Sequence, residues 1–169
     1  MKPLKRNFLL IALITIAFNS FSQEEKLLNT VPTSPEGFKS SEARFINTVN
    51  WLENTPLEKD DDKRKKESAL VLAWITNSPT VTIEVHSNII NSFDKNGDLL
   101  LVYMGGWAKY SLENSYSEDK IKGNLAGIRS AIKLYKLGGD IKKDKLMEKL
   151  ISLDEKNELE GWIKEQLAM

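Results

Sequence analysis

The sequence predicts a single all-α domain of about six or seven helices around a central helical hairpin, residues 98–114 and 119–137. Three observations predict it. Residues 99–108 (LLLVYMGGWA) carry no charge and put apolar groups on every side, as a helix buried on most faces does. Ile121, Leu125, Ile128, Ile132 and Tyr135 are spaced by four, three, four and three, which draws one apolar stripe down a second helix. The flanking segments repeat the helical period, and the chain offers too few alternating runs for a sheet, since an isolated β-hairpin is marginal.

The first 22 residues read as a secretory leader. Lys2, Lys5 and Arg6 form a charged start, residues 8–18 (FLLIALITIAF) an apolar stretch, and Ser20 and Ser22 the small residues before a cut at Gln23. Eleven apolar residues are too few to span a bilayer, which takes roughly 20. Removing the 22-residue leader from 169 leaves 147 residues, enough for a substantial core. The leader holds three of the 24 basic residues and none of the 24 acidic ones, so the net charge moves from 0 to −3. A mildly acidic chain is a poor partner for nucleic acid, where phosphates must be neutralised. The chain has no cysteine, so no disulfide staples it and packing must supply its stability. The expected address is the periplasm or the extracellular space, with no stable membrane span after cleavage.

Residues 23–40 hold Pro32, Pro35 and Gly37 among serines and threonines and read as an extended lead-in; the helical domain follows over 41–169. The first helix runs from Glu42, capped by Ser40 or Ser41, with Phe45, Val49 and Leu52 on one face. It stops near Asn54 because Pro56 disfavours helical geometry at Thr55. Residues 58–66 (EKDDDKRKK) are a solvated charge run. Asp60, Asp61 and Asp62 favour a helix start there, and that helix ends before Ser78 and Pro79. Residues 79–93 carry two patterns. Val81, Ile83 and Val85 alternate like a strand, which residues 99–103 would partner across an Asn96-Gly97 turn. Val81, Val85, Ile89 and Phe93 recur every four, and Ser78 and Pro79 resemble a helix start. The helix is the reading taken. Gly138 and Gly139 end the hairpin. A short helix follows over 142–151, and Ser152 with Glu155 forms a capping box for a last helix carrying Leu159, Trp162, Ile163 and Leu167.

Reactive constellations are scarce. Asp94, Asn96 and Asp98 alternate like the opening of an EF-hand loop. The sixth position is Leu99 instead of glycine, and the twelfth is Gly105 instead of glutamate. The stretch therefore reads as a polar turn, with Asp98 as a helix cap. His86 is the only histidine, which rules out a multi-histidine zinc site. No Gly-x-Ser-x-Gly elbow nominates a nucleophile, and the paired glycines match no phosphate-loop spacing. Trp51, Trp74, Trp107 and Trp162 all fall within predicted helices, where core burial is the ordinary role. No catalytic, cofactor-binding or metal-ligating residue is nominated.

The phrases WLENTPL (51–57), LAWITNSPTVTIEV (72–85), YMGGWAKYSLEN (103–114) and NLAGIRSAIKLYKLG (124–138) resemble a loosely defined group of small exported helical proteins of Bacteroidota. The resemblance implies an all-helical fold with 79–93 helical, and it carries no functional residue across. The functional expectation is a non-catalytic binding protein of the envelope, with a protein or small ligand as partner. The alternative is a hydrolase of envelope glycans, which needs two carboxyl groups facing a cleft at roughly 5–10 Å. A glycine inside a helix costs roughly 0.5–1 kcal/mol relative to alanine, so Gly105 and Gly106 need a reason. The expected one is close packing against residues 126–131; the competing ones are a helix break or a groove floor.

Overall fold

A computed structural model describes residues 26–168. The leader read over 1–22, and the start of the lead-in, lie outside the described residues. Seven α-helices follow one another: α1 (Pro35–Asn54), α2 (Asp61–Asn77), α3 (Ser87–Ile90), α4 (Gly97–Glu113), α5 (Lys120–Leu137), α6 (Lys145–Glu155) and α7 (Leu159–Ala168). A 3₁₀ turn, Asn91–Phe93, continues α3. The described residues contain no strand.

The hairpin α4–α5 is the centre of the fold, and its bounds fall within one residue of the expected ones. Helices α1 and α2 cover α4, while α6 and α7 cover α5. The crossing is built from missing side chains. A methyl on Gly127 would stand 2.6 Å from the Tyr103 carbonyl oxygen, and one on Gly106 would stand 2.6 Å from Ser130 Cβ and 3.2 Å from the Ala126 carbonyl oxygen. Gly123 gives its space to the Trp107 indole. Gly106 therefore does pack against 126–131. Gly105 does not: its α-carbon faces Val49 of α1 and Val71 of α2. Tyr103 lies fully buried at this crossing. Its hydroxyl donates to Asn124 Oδ1 at 2.6 Å, and burial pushes its pKa well up.

A second aromatic cluster fixes α2 on α1. Trp74 stacks on Phe45 at 4.2 Å between ring centroids and meets Phe38 edge-on at 5.5 Å. Its buried indole N–H donates to Ser41 Oγ at 2.8 Å, which satisfies the one polar atom the ring brings inside.

Four boundaries differ from the sequence reading. Helix α1 starts at Pro35, not Glu42. Ser34 is the cap, with its Oγ accepting from Gly37 N–H at 3.2 Å, and Pro35 takes the first helical position, where its missing N–H costs nothing. Ser40 and Ser41 lie inside the helix and donate to the Gly37 and Phe38 carbonyls. The extended lead-in thus ends at Ser34. Residues 79–86 are neither helix nor strand. Ser78 Oγ accepts from Val81 N–H at 3.2 Å, which makes a local turn of the residue read as a helix cap. The β-branched residues that follow take no regular structure, with Val81 buried and Val85 exposed. Only residues 87–93 are helical. No strand partner exists because 99–103 lies within α4.

The third difference is at α6 and α7. Ser152 and Glu155 do not start the last helix; both belong to α6. The break comes at Asn157, whose φ is 59°. Glu158 N–H donates to the Leu153 carbonyl at 2.8 Å, and Asn157 N–H to the Asp154 carbonyl at 3.0 Å. This is a Schellman closure with asparagine in the left-handed position. The cap of α6 is Asp144, accepting from Leu146 N–H at 2.7 Å, and the helix starts at Lys145, three residues later than expected. The fourth is the start of α4, where Asn96, not Asp98, is the cap residue.

Candidate functional site

Helix α4 borders a depression on each of its two long faces. On the face toward α1 and α5 lies a cleft of about 270 Å³, whose accessible wall is mostly the apolar stems of charged side chains. Gly106, Lys109, Tyr110 and Glu113 recur at helical spacing and line one wall; Arg129 and Lys133 stand one turn apart on α5 and line the other. Glu53 of α1 closes the inner end. Its carboxylate is buried, and it accepts from Lys109 Nζ at 3.0 and 3.1 Å and from Lys133 Nζ at 3.0 Å. Lys109 also donates to Asn50 Oδ1 at 3.0 Å.

Burial by itself raises the pKa of Glu53. The charge of Lys109 and the hydrogen bonds from both lysines outweigh that and hold it below 4.5. A glycosidase acid needs the opposite, a carboxyl kept protonated at working pH. Glu53 is therefore an anchor joining three helices.

The other face of α4 borders α2. Here a groove of about 460 Å³ is lined by Ala69 and Leu72 of α2 and by Leu100, Leu101 and Met104 of α4, with Asp98 at one end. Leu72 is 47% exposed. The heptad-like spacing of Leu72 from Ala69 and Ser68 turns these residues away from the Trp74 cluster and toward the solvent side of the α2–α4 seam.

A third, wider depression of about 620 Å³ lies at the N-terminal ends of α2 and α4, where Glu58, Asp61, Asp98 and Asp140 surround Arg64. Arg64 is buried and donates from Nη2 to the Leu52 carbonyl at 3.1 Å and to the Thr55 carbonyl. It thereby satisfies the open carbonyls at the end of α1 while lying near the Trp51 ring. Its Nε is buried with no partner among the described residues.

The residues weighed in the sequence are scattered. Asp94 and Asp98 are exposed. Asn96 turns inward, and its amide donates to the Lys142 carbonyl at 2.9 Å and accepts from Lys142 N–H at 2.8 Å. The EF-hand-like stretch is thus a clamp that ties the start of α4 to the segment before α6. Among the described residues no group of three His, Asp or Glu side chains is placed to hold a metal ion. His86 precedes α3, half-buried, and its Nδ1 is enclosed without a partner among the described residues. Trp74 and Trp107 are core residues, while Trp51 and Trp162 are half-buried.

Sequence reasoning did not single out Glu53 or Lys109. The signal was present in Glu53 itself: it follows Leu52 on the inward side of α1, one turn after Val49. An acidic residue at that register calls for a cation from a neighbouring helix. No protein-family description, curated protein or solved structure matches the chain.

Proposed function

We propose that the protein is an exported, non-catalytic binding protein of the cell envelope that captures an apolar segment of a partner in the groove between α2 and α4. The observation that carries this reading is the groove itself. Leu72, Leu100, Leu101 and Met104 leave a continuous apolar depression open to solvent, and contiguous exposed apolar surface is the mark of an interaction site. Met104 adds a flexible, polarizable side chain that adapts to varied apolar partners. The cleft beside α5 does not favour the hydrolase alternative, because its buried carboxylate is paired with two lysines. No described helix is long and apolar enough to cross a membrane.

Two measurements test the reading. Leu72→Glu places a charge at the rim of the groove, where the side chain is half in water. Folding stability should change by no more than about 0.5 kcal/mol. Binding of an apolar fluorescent probe, and of a partner crosslinked from envelope extract through the groove, should fall at least tenfold. Equal binding by parent and variant would remove the groove from consideration. Separately, the intact mass of protein from the envelope fraction should show loss of residues 1–22; a full-length mass would remove export by cleavage.

A further inference from the structure

The apolar groove between α2 and α4 does not end in neutral surface. Ser68 and Asp98 line both the groove and the wider depression at the first turns of the two helices, so the two form one continuous trough. Met104 and Leu101 lie at its apolar end and Asp98 at the other. Met104 and Asp98 are six residues apart on α4, about 9 Å of helix. Along α2 the same change runs from Leu72 through Ser68 to Asp61.

The acidic end is assembled from distant parts of the chain. Asp61 and Asp98 come from the first turns of α2 and α4. Glu58 comes from the turn before α2, and Asp140 from the segment after α5. Gly139 lets these two segments approach. Its φ is 86°, and a methyl there would stand 2.7 Å from Glu58 Oε1. The four carboxylates share the lining with two cations, Arg64 and Lys65. Arg64 is committed to the Leu52 and Thr55 carbonyls, and Lys65 to Asp61 at 2.7 Å. The lining therefore carries an excess of two negative charges. The N-terminal ends of α2 and α4 each contribute roughly half a positive charge, which leaves an excess of about one.

We propose, resting on the groove reading above, that the occupant of the groove is a peptide segment whose apolar stripe is followed by one lysine or arginine, and that this cation seats in the acidic end of the trough. A carboxylate cluster alone selects nothing. Here it continues an apolar groove, so one ligand meets both. Charge complementarity of this kind fixes orientation and register more than affinity. With its cation at the N-terminal ends of α2 and α4, the segment lies one way along the seam. The size of the excess suits one cation and not a polybasic run, and its sign repels the anionic headgroups of a lipid surface.

Three dye-labelled peptides test the proposal. Each carries one stripe of leucines at helical spacing and, one turn beyond it, lysine, glutamine or glutamate. Fluorescence anisotropy is read with protein purified from the envelope fraction. The lysine peptide should bind about fivefold more tightly than the glutamine peptide, and the glutamate peptide more weakly than either. The advantage of lysine should vanish in 1 M sodium chloride, where charges are screened beyond about 3 Å. The double variant Glu58→Gln, Asp140→Asn, both at exposed positions, should bring the lysine peptide down to the affinity of the glutamine peptide. Leu72→Gln, which adds no charge, separates this proposal from the reading beneath it. If it weakens all three peptides while the lysine and glutamine peptides bind alike, the groove stands and the cationic occupant is overturned. If it weakens none, or if no peptide binds, both are overturned. Self-association of the protein that Leu72→Gln abolishes would make a second copy the occupant and would also overturn the proposal.

Discussion

The face of α4 toward α5 is sealed along its middle, whereas the face toward α2 is open. Both faces belong to one uncharged stretch, and the difference lies in the residues opposite. Against α5, Gly106, Gly123 and Gly127 remove side chains where the helices cross, so backbone meets backbone and Tyr103 and Trp107 fill the remaining space. Against α2, the side chains of Leu101 and Met104 stand between the helices, and with Leu72 at the rim they line a depression along the seam. Close packing and a binding groove arise here from the same apolar composition, according to whether side-chain volume at the contact is zero or large. A solvated opening survives beside the sealed crossing only where charge enters, at Glu53, Lys109 and Lys133.

The sealed face gives the largest expected effect. A methyl at residue 127 meets the Tyr103 carbonyl oxygen at 2.6 Å. That atom belongs to the backbone of α4 and cannot rotate away, so the helices must separate. Gly127→Ala should cost about 3 kcal/mol, despite the gain of about 1 kcal/mol in helix propensity. The midpoint and slope of urea unfolding measure it. A neutral substitution would mean that the crossing relaxes freely and that its sealing is not a constraint.

Next in size is a comparison between two buried glutamates. Glu53 has two lysine partners; Glu67 of α2 is buried with Oε2 unpartnered among the described residues. Burial raises the pKa of Glu67, with only Lys66 and Lys63 opposing, and the net direction is upward. That of Glu53 is downward. The signs of linkage are therefore opposite. Glu53 stabilises the fold above its unfolded pKa, near 4.5, and this contribution fades as pH falls through the lower folded value. Glu67 opposes folding once pH rises past 4.5 toward its raised folded value. At pH 7 Glu53→Gln should destabilise and Glu67→Gln should stabilise. Both differences should shrink when unfolding is measured at pH values below 4. Matching signs at pH 7 would break the comparison.

The sealed face was the legible one. Uncharged length and a four-three rhythm located α4 and α5, and paired small residues located the crossing. They did not say which glycine faced which helix: Gly106 turns to α5 and Gly105 to α1, a difference of one residue and 100° of helix rotation. The boundaries that escaped were decided by single polar atoms. Ser34 and Ser41 are both serines at the start of α1, yet one caps the helix and the other holds the Trp74 indole. Ser78 is the C-cap of α2 and starts no helix, because its oxygen closes a turn with Val81 first. Asn157 ends α6 by taking a positive φ, which the preceding capping-box pattern masked. Glu53 escaped because its partners lie 56 and 80 residues further on, a distance no local pattern spans. An all-α fold of six or seven helices was readable from periodicity, whereas the depressions depend on how distant helices are spaced.

The smallest expected effect lies at Gly105, the glycine that turns away from the sealed crossing. A methyl there stands 3.1 and 3.3 Å from the two γ-carbons of Val49 and 3.7 Å from Val71 Cγ1. All three are side-chain atoms, so the contact is tight but not fixed by backbone. Alanine brings about 1 kcal/mol of helix propensity. Against it stands the need to shift Val49, a fully buried residue whose β-branched side chain has little rotamer freedom. The two effects are of similar size, and Gly105→Ala should change stability by less than about 0.5 kcal/mol. Removing the obstacle isolates the contact. Val49→Ala alone should destabilise through a cavity, by about 2 kcal/mol. In that background the new methyl at residue 105 occupies part of the cavity and keeps its propensity gain. The double variant should then be more stable than Val49→Ala by about 1 kcal/mol, a coupling well outside additivity. Strict additivity in urea unfolding would show that Gly105 is not shaped by Val49.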